Sequence, residues 1–295
     1  MSEKTTEYYV PEQSYWPIVG AFGLFTLVIG AVNFIQQSTD KVNNDGSLGG
    51  IILALGFAII IFMMFGWFAT TVKESLAGKN SVQMDISYRM GMAWFIFSEV
   101  MFFAAFFGAL YYTRMLVVPW LGGEGSKVMT HEILWPDFQA IWPLTVTPGG
   151  EHVEPMGAWG LPAINTALLL SSGVTLTIAH HALLAGERSK QVIFLALTVA
   201  LGALFLGLQA LEYHHAYAEM GLTLGSGIYG STFFMLTGFH GLHVTIGAIM
   251  LTVMTFRSMK GHLTPENHFA FEATAWYWHF VDVVWLFLFV VVYWF

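Results

Sequence analysis

The sequence predicts an all-α membrane protein with seven transmembrane helices, and two observations support this. Hydrophobic residues make up 56% of the 295 positions and charged residues only 10%, whereas soluble domains carry roughly 25% charged residues. Seven apolar stretches are also long enough, at about 1.5 Å per helical residue, to cross a hydrocarbon core of about 30 Å. These predicted spans are residues 16–35, 48–71, 90–112, 160–184, 191–211, 228–256 and 271–293.

The first span is predicted to stay in the mature chain, and the charges predict its direction. The tail before it holds Glu3, Glu7 and Glu12 against Lys4, and no small-residue cleavage site follows, so the pattern does not fit a signal peptide. Lys and Arg residues collect on the inner side when the N-terminus is placed inside, which predicts an N-inside, C-outside topology. Only three of the eleven then lie outside, namely Lys41, Arg114 and Lys127.

The composition and the loops exclude several classes of function. The chain has no Cys, so a disulfide, a thiolate metal site and a Cys nucleophile are ruled out. The net charge of −8 argues against nucleic-acid binding. Residues 41–47 are a short polar turn between spans one and two, and residues 113–159 are a long outer loop rich in Pro and Gly, which favours a packed irregular cap. No matching broken segments indicate an inverted-repeat transporter.

Span three carries a carboxyl group in an apolar setting. The helical neighbours of Glu99, three and four positions away, are Phe95, Ile96, Phe102 and Phe103. An ionised carboxylate at the centre of a bilayer costs about 3 kcal/mol on insertion scales, so an acid there is a functional hypothesis by default. The alternative is a protonated Glu99 that only forms a hydrogen bond with a neighbouring helix.

The histidines of spans four to six invite a metal hypothesis. The His pair at 180–181 lies at the inner end of span four, and the pair at 214–215 lies at the outer end of span five. His240 and His243 lie inside span six. These pairs cannot surround one ion, and a zinc or di-iron site needs three or more ligands at about 2 Å. We therefore expect no metal and no heme in this chain, and histidines that form structural hydrogen bonds.

Span seven supplies titratable groups at the level of Glu99. Counted from the inner ends of their spans, Glu99 lies at about 14 Å, His279 at about 12 Å and Asp282 at about 16 Å. His279 and Asp282 share one helical face. With His240 and His243 they form the predicted polar intramembrane residues, and we expect a cluster that links spans three and seven. Such a cluster either stabilises helix packing by roughly 1 kcal/mol or handles protons.

Several segments resemble subunit III of the heme-copper cytochrome c oxidases of bacterial type. They are FSEVMFF at 97–103, GSTFF at 230–234 continuing to TGFHGLHV at 237–244, LQALEY at 208–213, and FEATAWYWHFVDVVWLF at 271–287. The resemblance covers all seven spans, and the enlarged loop 113–159 departs from it.

The resemblance implies a non-catalytic core subunit of a cytochrome c oxidase, which reduces oxygen and pumps protons. Such a subunit has no catalytic residue, heme or copper of its own. It lies beside the catalytic heme-copper subunit I and the copper-bearing subunit II in the cell inner membrane, with a cytoplasmic N-terminus and a periplasmic C-terminus. Cytochrome c is the partner of the whole complex.

The resemblance also implies a two-helix arm and a five-helix bundle around a V-shaped cleft that retains phospholipid. Glu99 matches the buried carboxyl of the family that reacts with a carbodiimide. Arg257 matches a cationic position that meets lipid phosphate, and Trp67 and Glu74 occupy similar positions at the inner mouth.

Two alternatives stay open. One is subunit III of a quinol oxidase, which typically lacks the first two spans, and the other is a stand-alone proton-coupled membrane carrier that uses Glu99. Co-purification with heme and copper subunits distinguishes the carrier from an oxidase subunit.

Overall fold

The computed structural model describes residues 9–10, 12–39 and 47–295, and within them the chain is helical and forms no β-sheet. Seven helices in this described part of the chain are long and apolar enough to cross a membrane, which confirms the predicted all-α fold class. The predicted turn at 41–47 lies outside the described residues except for Ser47, and so do Glu3, Lys4 and Glu7. The helices are α1 (Trp16–Thr39), α2 (Ser47–Leu76), α3 (Val82–Tyr112), α4 (Val118–Leu121), α5 (Val128–Leu134), α6 (Leu161–Leu184), α7 (Arg188–Ala218), α8 (Ile228–Met259) and α9 (Phe269–Leu288).

Several helices continue beyond the apolar stretches that predicted them. Helix α3 begins at Val82, before the predicted start at Met90, and α7 runs to Ala218 instead of Leu211. Hydropathy marks the part of a helix that lies in hydrocarbon, whereas backbone hydrogen bonding determines where the helix ends. The end of α7 carries Glu212, whose side chain is buried.

The chain divides into two compact units, Met1–Tyr88 and Arg89–Phe295. In the first unit, α1 and α2 pack closely because glycines lie at their contacts. A Cβ at Gly30 would overlap the backbone of Leu53, and a Cβ at Gly49 would overlap the backbone of Phe34. Small residues of this kind allow two membrane helices to approach each other at backbone distance.

In the second unit, α9 is fixed against α6 by two buried indole groups. Nε1 of Trp278 donates a hydrogen bond to Oγ of Ser172 at 2.8 Å, and Nε1 of Trp285 donates to Oγ1 of Thr166 at 2.9 Å. Gly202 of α7 makes room for Trp278, because a Cβ there would lie 2.7 Å from the indole ring. Buried indoles need such acceptors, so these bonds fix the rotation of α9.

Helix α3 joins this unit through large aromatic side chains. Phe95 stacks on Tyr277 of α9 with ring centroids 6.2 Å apart, and the ring of Phe103 lies 6.1 Å from that of Phe280, also on α9. Phe102 meets Phe239 of α8 edge to face at 5.1 Å. The face of α9 that carries Tyr277 and Phe280 is therefore the face turned toward α3.

Residues 113–159 pack against the beginning of α8. The backbone N–H of Met156 donates to the hydroxyl of Tyr229 at 3.0 Å, and the ring of Trp142 meets Tyr229 edge to face at 5.7 Å. The backbone N–H of Glu154 donates to the carbonyl of Met220 at 3.1 Å. The segment also contains the short helix α5, which its overall Pro and Gly content did not predict, because residues 128–134 hold neither residue type.

Helices α6 and α8 both end at glycines in the left-handed region, Gly186 with φ 75° and Gly261 with φ 72°. Arg188, at the start of α7, then binds the end of α8. Its Nε donates to the carbonyl of Ser258 at 2.8 Å, and its Nη2 donates to the carbonyl of Met259. A cation at this position stabilises the negative end of a helix.

Candidate functional site

The intramembrane carboxyl of span three has a specific partner on α8. Oε2 of Glu99 lies 2.9 Å from Nε2 of His243. The other ring nitrogen, Nδ1 of His243, lies 2.6 Å from the carbonyl of Phe239 and donates to it. This geometry limits how protons can be placed on the pair.

With Nδ1 committed as a donor, only two arrangements satisfy the Glu99–His243 contact. Either a neutral Glu99 donates its proton to Nε2 of a neutral His243, or a protonated His243 donates to a carboxylate. Both arrangements hold one proton between the two groups and have no net charge. The pair can therefore transfer this proton between two atoms that are 2.9 Å apart without a change in its total charge.

Aromatic rings surround the Glu99–His243 pair. The side chain of His243 is 10% exposed and that of Glu99 is 21% exposed. Phe103 and Phe102 lie 5.0 and 5.7 Å from the imidazole, and Tyr277 stacks on it at 6.4 Å. In such an apolar setting a hydrogen bond is stronger than in water, so the pair is a polar link between α3 and α8.

His279 and Asp282 do not share this link. Nδ1 of His279 lies 3.7 Å from Oδ2 of Asp282, and both face α6, where a Cβ at Gly173 would lie 2.6 Å from Oδ2 of Asp282. The expected pairing of Glu99 with His279 and Asp282 of span seven is therefore wrong, because Glu99 pairs with His243 of span six. Depth arithmetic places the three groups at one level but does not give their direction around the helix. At about 100° per residue, His279 and Asp282 lie about 160° from the face of α9 that meets α3.

His240 and His243 serve two different interfaces. His240 is fully buried, its Nε2 lies 3.2 Å from the carbonyl of Val281, and its ring contacts Phe205 and Trp285. It therefore lies between α7 and α9, while His243 turns toward α3. The two imidazoles lie on one helix but have no common hydrogen-bond partner.

Helix α7 carries a buried acid that the apolar pattern of the sequence does not predict. Glu212 is 1% exposed, and its Oε1 accepts a hydrogen bond from the hydroxyl of Tyr293 at 2.8 Å. The predicted span ended at Leu211, which left Glu212 at the surface. In the structure, buried positions on α7 recur at intervals of three and four residues, and Glu212 continues this series: Gln191, Leu195, Thr198, Gly202, Phe205, Gln209, Glu212 and Ala216.

The predicted lipid-binding residues lie on two helices. Arg257 is partly buried in the last turn of α8, and its Nε has no hydrogen-bond partner within the described part of the chain. On α2, Trp67 is exposed, and Oε1 of Glu74 lies 3.4 Å from the hydroxyl of Tyr9. Lipid binding by these three residues stays a prediction, and so does the V-shaped cleft.

Comparison with known proteins gives one consistent result. The family model described as cytochrome c oxidase subunit III matches residues 6–295. Cytochrome c oxidase subunit 3 of Marchantia polymorpha is 41% identical, over 97% of this chain and 96% of its own length. The proteins of the same name from Formosania lacustris and Arabidopsis thaliana are 40% and 41% identical, over 100% and 97% of this chain and 99% and 96% of their own lengths.

Proposed function

The chain belongs to the cytochrome c oxidase subunit III family, and on this premise we propose how it serves the oxidase. It is a non-catalytic, multi-pass membrane subunit of an oxidoreductase complex. We propose that it stabilises the catalytic heme-copper subunit I and the copper-bearing subunit II, which carry the electrons from cytochrome c to oxygen. Because the family is shown, the quinol oxidase subunit and the stand-alone carrier are not retained.

The supporting role rests on the Glu99–His243 link. The carboxyl of Glu99 and the imidazole of His243 are hydrogen-bonded to each other, and this bond joins α3 to α8. Polar contacts between membrane helices contribute roughly 1 kcal/mol each, which is suited to fixing a helix position. In this proposal Glu99 positions α3, and oxygen chemistry proceeds without it.

The test compares two substitutions of Glu99 in the assembled oxidase. Glu99→Gln keeps a donor that reaches Nε2 of His243, so we expect turnover and proton pumping close to those of the unmodified complex. Glu99→Ala leaves the imidazole without its partner, so we expect normal initial turnover but faster inactivation. Loss of turnover in a fully assembled Glu99→Gln complex would show that Glu99 is an obligatory proton carrier and would refute the supporting role.

We further propose that the chain lies in the cell inner membrane with its N-terminus in the cytoplasm and its C-terminus in the periplasm. The asymmetry of Lys and Arg supports this orientation. Because the chain has no Cys, single-Cys variants report sidedness directly. An impermeant maleimide added to intact cells should label Ser126→Cys in the outer loop but leave Ser189→Cys in the first turn of α7 unlabelled. The reverse pattern would overturn the orientation.

We also propose that Arg257 binds the phosphate of a structural phospholipid. The guanidinium presents a planar fork of donors that matches phosphate oxygens. Arg188 already binds the last carbonyls of α8, so Arg257 is not needed for that task. Trp67 and Glu74 are proposed as further lipid contacts on α2.

A further inference from the structure

We propose that His180, His268 and Glu272 form a binding site for a divalent transition-metal ion of borderline character, such as Zn²⁺. The three residues lie at the end of α6 and at the beginning of α9, and their ligand atoms all lie within 4.8 Å of one another. The expectation of no metal rested on the histidines of spans four to six. His268 lies outside those spans, four residues before Glu272.

The distances suit a tetrahedral ion. With bonds of about 2.0–2.1 Å, two ligand atoms of such an ion are about 3.3 Å apart. Nε2 of His268 already lies 3.6 Å from Oε1 of Glu272. Small side-chain rotations would bring the third ligand from 4.8 Å or less to the same separation.

Neighbouring groups orient two of the ligands. Nδ1 of His268 donates to the carbonyl of Thr264 at 3.2 Å, which leaves the lone pair of Nε2 directed at Glu272. Nη1 of Arg89 lies 2.5 Å from Oε2 of Glu272, and Oε1 is the oxygen that faces His268. Metal-binding histidines and carboxylates are commonly held by such outer partners.

His180 supplies the third ligand from a separate helix. Its Nε2 is buried and has no hydrogen-bond partner among the described residues. A buried polar atom without a partner carries a desolvation cost, which an ion would remove. The ring of His180 lies 5.8 Å from that of His268 and 5.3 Å from that of Phe271, and these contacts hold it beside the other two ligands.

The ligand set indicates the class of ion. Two imidazoles and one carboxylate suit Zn²⁺, Cu²⁺ or Ni²⁺, whereas Mg²⁺ and Ca²⁺ prefer oxygen ligands alone. Three protein ligands leave a fourth position for water or for a group from a partner. The ion would join the end of α6 to the beginning of α9. Without an ion, the alternative is a hydrogen-bonded cluster in which Arg89 balances the charge of Glu272.

The test measures Zn²⁺ bound by the whole oxidase complex. Complexes treated with a chelator and then desalted are dialysed against graded Zn²⁺, and bound metal is counted by mass spectrometry. The complex holds other metal centres, so the difference between variants is the measured quantity. We expect one Zn²⁺ fewer in His268→Ala than in the unmodified complex, or at least a tenfold weaker affinity. His181→Ala, which removes the exposed histidine next to His180, is the matched control and should bind as the unmodified complex does.

Equal Zn²⁺ binding by His268→Ala and the unmodified complex would overturn the proposal and leave only the hydrogen-bonded cluster. X-ray absorption of the zinc-loaded unmodified complex provides a second measurement, which does not depend on a variant. We expect two imidazole nitrogens in the first shell of the zinc that chelation removes and dialysis restores. A first shell without imidazole, or no restored zinc, would likewise refute the site.

Discussion

The glycines between α1 and α2 allow a matched test of helix packing. Gly49 and Gly50 are neighbours in the first turn of α2, so any gain in helix propensity from a change to Ala is similar at both positions. A Cβ at Gly49 would overlap backbone atoms of Phe34 and lie 2.7 Å from the carbonyl carbon of Asn33. A Cβ at Gly50 would lie 3.6 Å from the ring of Phe34, which is an ordinary contact.

The expected magnitude follows from these contacts. Overpacking costs about 1–3 kcal/mol, and the upper part of that range applies at Gly49 because backbone atoms cannot move aside as a side chain can. The difference between Gly49→Ala and Gly50→Ala isolates this cost, since the propensity gain cancels. At about 1.4 kcal/mol per factor of ten, a cost of about 2–3 kcal/mol changes the opening equilibrium of the α1–α2 pair by roughly 25- to 150-fold.

The assay uses the absence of Cys from this chain. A reporter Cys replaces Leu27, whose backbone lies against Gly56 in the α1–α2 contact. Oxidase samples are heated in steps with a fluorescent maleimide, and labelling is read from the gel band of this subunit alone. Gly49→Ala should be labelled at lower temperature than Gly50→Ala. Equal labelling of the two variants would refute the close backbone packing of α1 and α2.

Three further predictions concern the second unit. A hydrophobic carbodiimide should label Glu99, because the neutral arrangement of the pair offers a protonated carboxyl among aromatic rings, and labelling should be absent in Glu99→Gln. Arg257→Ala should lose a tightly bound phospholipid in native mass spectrometry and inactivate faster during turnover, with little change in initial rate. Ser172→Ala removes the acceptor of the buried Trp278 indole, so the variant should be less stable by about 1–3 kcal/mol. Thermal denaturation, monitored through the release of this subunit from the complex, measures the difference.

Matched controls decide these predictions. Lys260→Ala removes an exposed cation at the same end of α8 as Arg257, and Ser171→Ala removes an exposed hydroxyl next to Ser172. Both controls should resemble the unmodified complex. If Arg257→Ala retained the same bound phospholipid as the unmodified complex, Arg257 would only hold its charge at the membrane surface and would not bind lipid. Equal stability of Ser171→Ala and Ser172→Ala would contradict the hydrogen bond of the Trp278 indole.

The sequence predicts the helices of this protein well because hydrocarbon imposes a simple rule on them. A backbone that crosses a bilayer must satisfy its own hydrogen bonds, so apolar length identifies the spans. The rule does not predict the end of α7, because Glu212 continues the buried face of the helix beyond the apolar stretch. It also does not apply to α5, which lies in the segment between two spans.

The partner of Glu99 could not be predicted for a different reason. The depth of a residue follows from counting along one helix, but its direction depends on how neighbouring helices are rotated. The rotation of α9 is fixed by the bonds from Trp278 and Trp285 to α6, and these bonds turn Tyr277 and Phe280 toward α3. His279 and Asp282 then face away, which leaves His243 of α8 as the partner of Glu99.

The shared proton of Glu99 and His243 also determines how this link responds to an energised membrane. A full elementary charge moved across 100 mV changes energy by about 2.3 kcal/mol. The proton of this pair moves between atoms only 2.9 Å apart, about a tenth of a 30 Å hydrocarbon core, so the same voltage changes its energy by at most about 0.2 kcal/mol. That is small beside the roughly 1 kcal/mol of an interhelical hydrogen bond. The link therefore holds α3 with almost equal strength whether the respiratory membrane is polarised or at rest.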